Sequence, residues 1–209
     1  MTVVALGLYL GYLLTAFGVR SLLQYRHTGS TGFRGVSGRP FGAGWWGGVL
    51  FVLALALGLS GPLLQLLGVV SAIAVLDHGA VHGTGLALTT AGIAATLLAQ
   101  HVMGTSWRVG VDPQESTDLV TTGAFEWVRN PVFTAMIATG AGLALLAGDP
   151  VTIAAFVILV VAVQIQVRAV EEPHLLHVHG SEYRDYAARV GRFLPGIGRL
   201  EQHPCQIMS

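Results

Sequence analysis

What most limits the fold of this chain is the length of its uncharged apolar stretches. Residues 3–19, 44–76, 86–103, 131–147 and 151–167 contain no Asp, Glu or Arg. A helix needs about 20 predominantly apolar residues to cross a bilayer, and these runs approach or exceed that length. A soluble domain of 209 residues would need an outsized core to hide them. The chain therefore reads as an all-α polytopic membrane protein.

Composition agrees. Hydrophobic residues make up 53% of the chain and charged residues 11%, against roughly 25% charged in an average soluble domain. Mean hydropathy is +0.65. The formal net charge is zero, which argues against a nucleic-acid partner. All 11 basic residues are arginine, a compositional bias without functional weight. Cys205 is the only cysteine, so no intrachain disulfide can form. It stands fifth from the end, one place off a prenylation signal. Residues 3–19 lack a preceding basic region and a small-residue cleavage site, and read as a retained span.

The order of the runs sets the topology. Arg20, Arg26, Arg34 and Arg39 follow the first run in a Gly/Ser-rich loop without acidic residues, which the positive-inside rule places in the cytoplasm. Loop 104–130 and the tail flank a tight hairpin turning at Gly148-Asp149-Pro150, and so share a side. For the first arginine loop to share it too, residues 44–103 must cross an even number of times. Ser60-Gly61-Pro62 interrupts the run 44–76, leaving halves too short to span alone. The expectation is one broken or tilted crossing there and about five transmembrane helices, with six as the alternative. The chain divides into N-terminal transmembrane helices (1–103), a half with a cytoplasmic loop, a helical hairpin and a C-terminal amphipathic segment (104–199), and a tail (200–209). Gly92, Gly140 and Gly142 read as close helix packing through small residues.

Polar residues cluster at the ends of the last two runs, where charge is costly to keep and so marks a candidate site. Loop 119–133 begins with Leu119 and Val120 and continues through Gly123, Phe125, Arg129, Asn130 and Pro131. Gly123 suits a turn with positive φ, and Pro131 suits the first turn of a helix. Arg129 can either grip a ligand carboxylate or snorkel at the membrane surface. Glu171 and Glu172 close the run 151–167, with Arg168 three and four residues earlier. That spacing predicts an ion pair, or frees one carboxylate for a ligand's hydroxyl or cationic groups. Residues 180–195 read as an amphipathic helix carrying Tyr183, Tyr186, Arg184, Arg189 and Arg192, either lying on lipid or folded back as a lid.

Asp77, His78 and His82 read as a solvated turn, not a metal cluster, and no metal site is expected. His174, His177 and His179 read as tail surface, and Trp45 and Trp46 as an interfacial aromatic belt. His101 and Arg108 sit at the mouth of the proposed site. Mid-span charges that would couple transport are absent from the runs. No Gly-x-Gly-x-x-Gly supports a nicotinamide-dependent reductase of the sterol type, the rival enzyme reading. A non-catalytic bundle binding lipid or a partner is the third reading.

Five motifs in order resemble the isoprenylcysteine carboxyl methyltransferase and phospholipid methyltransferase group of integral membrane enzymes. They are Gly123-Ala124-Phe125, Arg129-Asn130-Pro131 with Phe133, Glu171-Glu172-Pro173-His174-Leu175, His179-Gly180-Ser181-Glu182-Tyr183-Arg184-Asp185-Tyr186, and Arg192-Phe193-Leu194-Pro195. Met103-Gly104-Thr105-Ser106-Trp107-Arg108 extends the likeness upstream, so that it covers about residues 100–196. Asn130 stands where the group often has histidine, and Phe125 and Phe133 where it has tyrosine.

The resemblance implies S-adenosyl-L-methionine as cofactor. Leu119, Val120, Gly123, Phe125, Arg129, Asn130, Pro131, Glu171, Glu172, Tyr183 and Tyr186 are then its expected contacts, with Arg129, Glu172 and Arg168 at the reacting centre. It also implies a lipophilic acceptor entering from the bilayer, a carboxylate or thiolate before an amine. The expected location is the bacterial inner membrane, with the site facing the cytoplasm.

Overall fold

The computed structural model describes residues 1–31, 36, 38–104 and 119–201. Arg34, Thr105 to Arg108 and Cys205, named above, lie outside them. Six helices account for most of the described chain: α1 (Thr2–Thr28), α2 (Ala43–Leu66), α3 (Gly79–Met103), α4 (Pro131–Ala147), α5 (Pro150–Gln166) and α6 (Glu172–Arg189). Among the described residues there is no strand, only two isolated bridges. Helices α1, α2, α3 and the continuous α5–α6 stretch are long and apolar enough to cross a membrane. With α4, a shorter apolar helix that doubles back on α5, the bundle offers five candidate crossings.

Contacts at the two ends fix the parity. At one end, the Gln65 amide donates to the Ala147 carbonyl at 3.0 Å and Ile73 N–H to the Gly148 carbonyl at 2.9 Å, while Thr2 meets Gln65. At the other, Arg20 donates to the Gly104 carbonyl, Gly47 packs on Gln166, and Gly123 packs on Val102. The loop after α1, the loop after α3 and the tail therefore share an end, as the five-span reading requires.

Pro62 does not break α2, which continues to Leu66. The proline sits in the last turns, where its missing N–H removes one bond near an end that frays anyway. Helix α3 starts at Gly79, earlier than the apolar run 86–103 that announced it. It lies against α4 through a seam of small residues. A Cβ on Gly92 would stand 2.7 Å from Thr139 N, and one on Gly142 2.5 Å from Thr89 N, so backbone meets backbone there. Thr89, Thr96 and Thr139 in this seam return their hydroxyls to carbonyls four residues back, at 2.8 to 2.9 Å, so each of these hydroxyls is satisfied within its own helix.

Two stretches depart from α geometry. Leu14–Val19 in α1 and Val167–Glu171 between α5 and α6 are wide, π-type turns. The first leaves the Ala16 carbonyl to accept from Gln100 at 3.0 Å. Between α1, α2, α4 and α5 lies a small apolar cavity of about 40 Å³, lined by Tyr9, Tyr12, Gly58, Gly140, Phe156 and Leu159 among others.

Candidate functional site

The polar residues of the last two runs converge at the end of the bundle that carries the loop after α3. Gly123 adopts φ +63, opening a short turn over Gly123–Glu126 whose first N–H is capped by the Glu126 carboxylate at 3.1 Å. That turn delivers Phe125 into the interior and Arg129 to the foot of α4. Pro131 occupies the first position of α4, with Asn130 as its cap.

The wide turn Val167–Glu171 then decides which glutamate enters. In regular α geometry Arg168 and Glu172, four apart, would stack on one face. A π-type turn adds a residue to the circuit and breaks that register. Arg168 is instead exposed and donates to Gln164 at 2.8 Å. Glu172 turns inward, and its carboxylate is taken by Arg129 and Arg192 in place of the expected Arg168.

The result is a buried two-arginine, one-carboxylate group. Arg129 Nη2 donates to Glu172 Oε1 at 2.8 Å; Arg192 donates from Nε to Oε1 at 2.7 Å and from Nη2 to Oε2 at 2.8 Å. The Arg129 and Glu172 side chains are 1% and 8% exposed. Arg129 also donates to the carbonyls of Gly198 at 2.8 Å and Ala187 at 3.3 Å. Its guanidinium lies 5.9 Å from the centre of the Tyr183 ring, within cation–π range. The Glu172 hydrogen bonds hold the Arg192 guanidinium above its usual pKa, against the opposing effect of burial.

Tyr183, 1% exposed, packs edge-on against Tyr186 at 6.2 Å, and the Tyr186 hydroxyl donates to the Phe125 carbonyl at 2.6 Å. Leu119 lies against the same pair, and Val120 beside it is half-buried. Glu171 is half-buried in the wide turn.

Residues 180–195 do not form the single helix expected of them. Gly180 takes φ +52 and ψ −118, kinking α6, and α6 ends at Arg189 with Val190 extended. The following turns run back over the site. Gly191 and Arg192 carbonyls accept from Arg129 N–H at 2.8 Å and Asn130 N–H at 3.2 Å, and the Arg192 carbonyl also accepts from the Asn130 amide at 3.1 Å. Phe193 accepts from Thr134 at 2.9 Å. The structure thus brings together Phe125, Arg129, Asn130, Glu172, Tyr183 and Tyr186, and leaves Arg168 outside. It adds Arg192, which sequence reasoning placed in the tail but not in the site. The signal was there in the Arg192-Phe193-Leu194-Pro195 stretch.

Away from this site, His82 and Asp77 pair at 3.4 Å, and no group of three or more His, Cys, Asp or Glu is placed to hold a metal among the described residues.

Residues 80–182, from α3 to the Gly180 kink, match the family model described as phospholipid methyltransferase. This stretch, just under half of the chain, is where it is similar to that family. The phospholipid methyltransferase match contains Arg129 and Glu172, while Tyr183, Tyr186 and Arg192 fall just beyond it. The chain is also 31% identical over 112 residues to the nickel-cobalt-cadmium resistance protein NccN of Alcaligenes xylosoxydans xylosoxydans, covering 53% of this chain and 51% of that protein. Among solved structures it resembles the eukaryotic intramembrane Ras methyltransferase ICMT (isoprenylcysteine carboxyl methyltransferase). The TM-score is 0.50 at 22% identity, over 76% of this chain and 53% of that one. That likeness is one of fold. The chain spans about half the length of both proteins.

Proposed function

We propose that the chain is an S-adenosylmethionine-dependent integral membrane methyltransferase, acting on a lipophilic acceptor that reaches the site from the bilayer. The observation that carries this reading is the buried Arg129–Glu172–Arg192 group, walled by Phe125, Tyr183 and Tyr186. Its chemistry fits the cofactor: cationic donors for a carboxylate, a carboxylate to favour a sulfonium or ammonium, and aromatic surface for a flat base. S-Adenosylmethionine supplies a methyl group already activated on sulfonium sulfur, so transfer is an in-line displacement that depends on alignment and exclusion of water. No covalent nucleophile of the protein is required.

The chain's own task is therefore to grip and orient. Arg129 and the 119–133 loop hold the polar end, and Tyr183 with Phe125 walls the apolar part. Asn130 can hydrogen-bond but cannot take a proton, so the acceptor arrives already ionised, as a carboxylate or thiolate. The arginine-bearing end, with Arg20, Arg26, Arg129 and Arg192, faces the cytoplasm of a bacterial inner membrane by the positive-inside rule.

Calorimetric titration of the detergent-purified protein with S-adenosylmethionine, its demethylated product and NADPH tests this reading. Micromolar binding of the first two alone supports it. Binding of NADPH alone would replace it with the reductase, and silence from all three with a non-catalytic bundle.

A further inference from the structure

The two arginines do not hold Glu172 equally. Arg192 grips both carboxylate oxygens. Its backbone is fixed as well, the N–H donating to Ile197 at 2.8 Å and the carbonyl accepting twice from Asn130. Arg129 reaches only one oxygen, through Nη2, and shares that nitrogen with the Gly198 carbonyl. Its Nε is fully buried without a hydrogen-bond partner. Among the described residues, these two guanidiniums share the one Glu172 carboxylate. A buried guanidinium with a spare N–H is a seat for a monoanion.

We propose that Arg129 is the exchangeable cation of this site and Arg192 the retaining one. An incoming carboxylate takes Glu172's place on Arg129, and Arg192 keeps Glu172 buried beside it, where its charge faces the ligand's cationic groups. The inference rests on the cofactor reading above, which makes that carboxylate the methionine carboxylate of S-adenosylmethionine. No covalent bond changes; one ion pair is exchanged for another. Arg192 is then a positioning residue that acts through Glu172.

The test compares S-adenosylmethionine with its decarboxylated analogue by calorimetry, in the wild type and in Arg129→Ala and Arg192→Ala. The wild type should bind the decarboxylated compound about 30-fold more weakly, the scale of a lost charge-assisted pair. Arg129→Ala should bind both compounds to within about threefold of each other. It should fold, because Glu172 keeps its two-pronged bond to Arg192; Arg129→Lys, which retains charge without the fork, should show an intermediate ratio.

In Arg192→Ala, Glu172 stays on Arg129 and competes with the incoming carboxylate. S-Adenosylmethionine should therefore weaken about tenfold and the analogue hardly at all. Equal binding of the two compounds by wild type, or full discrimination by Arg129→Ala, would overturn the exchange. A lower thermal midpoint in Arg192→Ala with both affinities unchanged would reduce Arg192 to a structural tie. If wild type binds neither compound, it is the cofactor reading itself that fails.

Discussion

Glu172 sits between two guanidiniums, so removing it is not equivalent to removing either partner. Glu172→Gln strands both cations in a closed site and should cost about 3–5 kcal/mol, as breaking a buried pair does; a lowered thermal midpoint in detergent is the measure. Arg192→Gln leaves Glu172 on Arg129 and should lower the midpoint less. An equal or larger drop would mean that Arg129 contributes little to the group. Tyr186→Phe leaves the buried Phe125 carbonyl without its 2.6 Å donor, at about 1–3 kcal/mol. The midpoint should fall accordingly, and an unchanged one would show that water replaces the hydroxyl. Residue types and order picked out Arg129, the Glu171–Glu172 pair and the tyrosines as candidates before any geometry. The choice between Glu171 and Glu172 was not legible, because adjacent residues differ only in the direction the backbone gives them. Nor was the tie from Asn130 to the Arg192 carbonyl, a contact 62 residues apart that no local spacing encodes.

At the level of elements, apolar runs and their breaks revealed the spans, including the α4–α5 hairpin. They did not reveal the wide turn Val167–Glu171, since its residues, Val-Arg-Ala-Val-Glu, suit an ordinary helix; tertiary packing selects it. They also misplaced the end of α6, where glycines at 180 and 191 and Pro195 outweigh the amphipathic pattern. The α3–α4 seam offers a graded test. Alanine at Gly92 or Gly142 drives a Cβ into backbone and should cost about 1–3 kcal/mol. Alanine at Gly140 meets the ends of the Leu159 and Phe156 side chains, which can turn aside, so its midpoint should shift least. Equal shifts would refute the seam's close approach. At the hairpin, Asp149 caps α5 through Val151 and Thr152 N–H groups, both at 2.9 Å. Asp149→Ala should cost about 0.5–2 kcal/mol, read by the same melts.

For the molecule as a whole, the five-crossing order puts Ser30 and Val69 on opposite faces. In a Cys205→Ser background, a membrane-impermeant maleimide should label Val69→Cys in intact spheroplasts and Ser30→Cys only after permeabilisation. The reverse pattern would turn the whole molecule over, and labelling of both from outside would break the five-crossing order. The parity argument foresaw this arrangement; what it could not supply was helix length in three dimensions. Helix α4 has 17 residues, about 25 Å of rise against a hydrocarbon layer of about 30 Å, whereas α5 runs on through the wide turn into α6. A helix that short reaches both faces only where the layer thins around it, and Pro131 with Arg129 stands at its foot. On the proposed function, methyl transfer would then occur in a dimple of the membrane. Bilayer thickness then becomes a control on the proposed site: lipids with shorter chains relieve the mismatch and bring the headgroups down to the buried arginine.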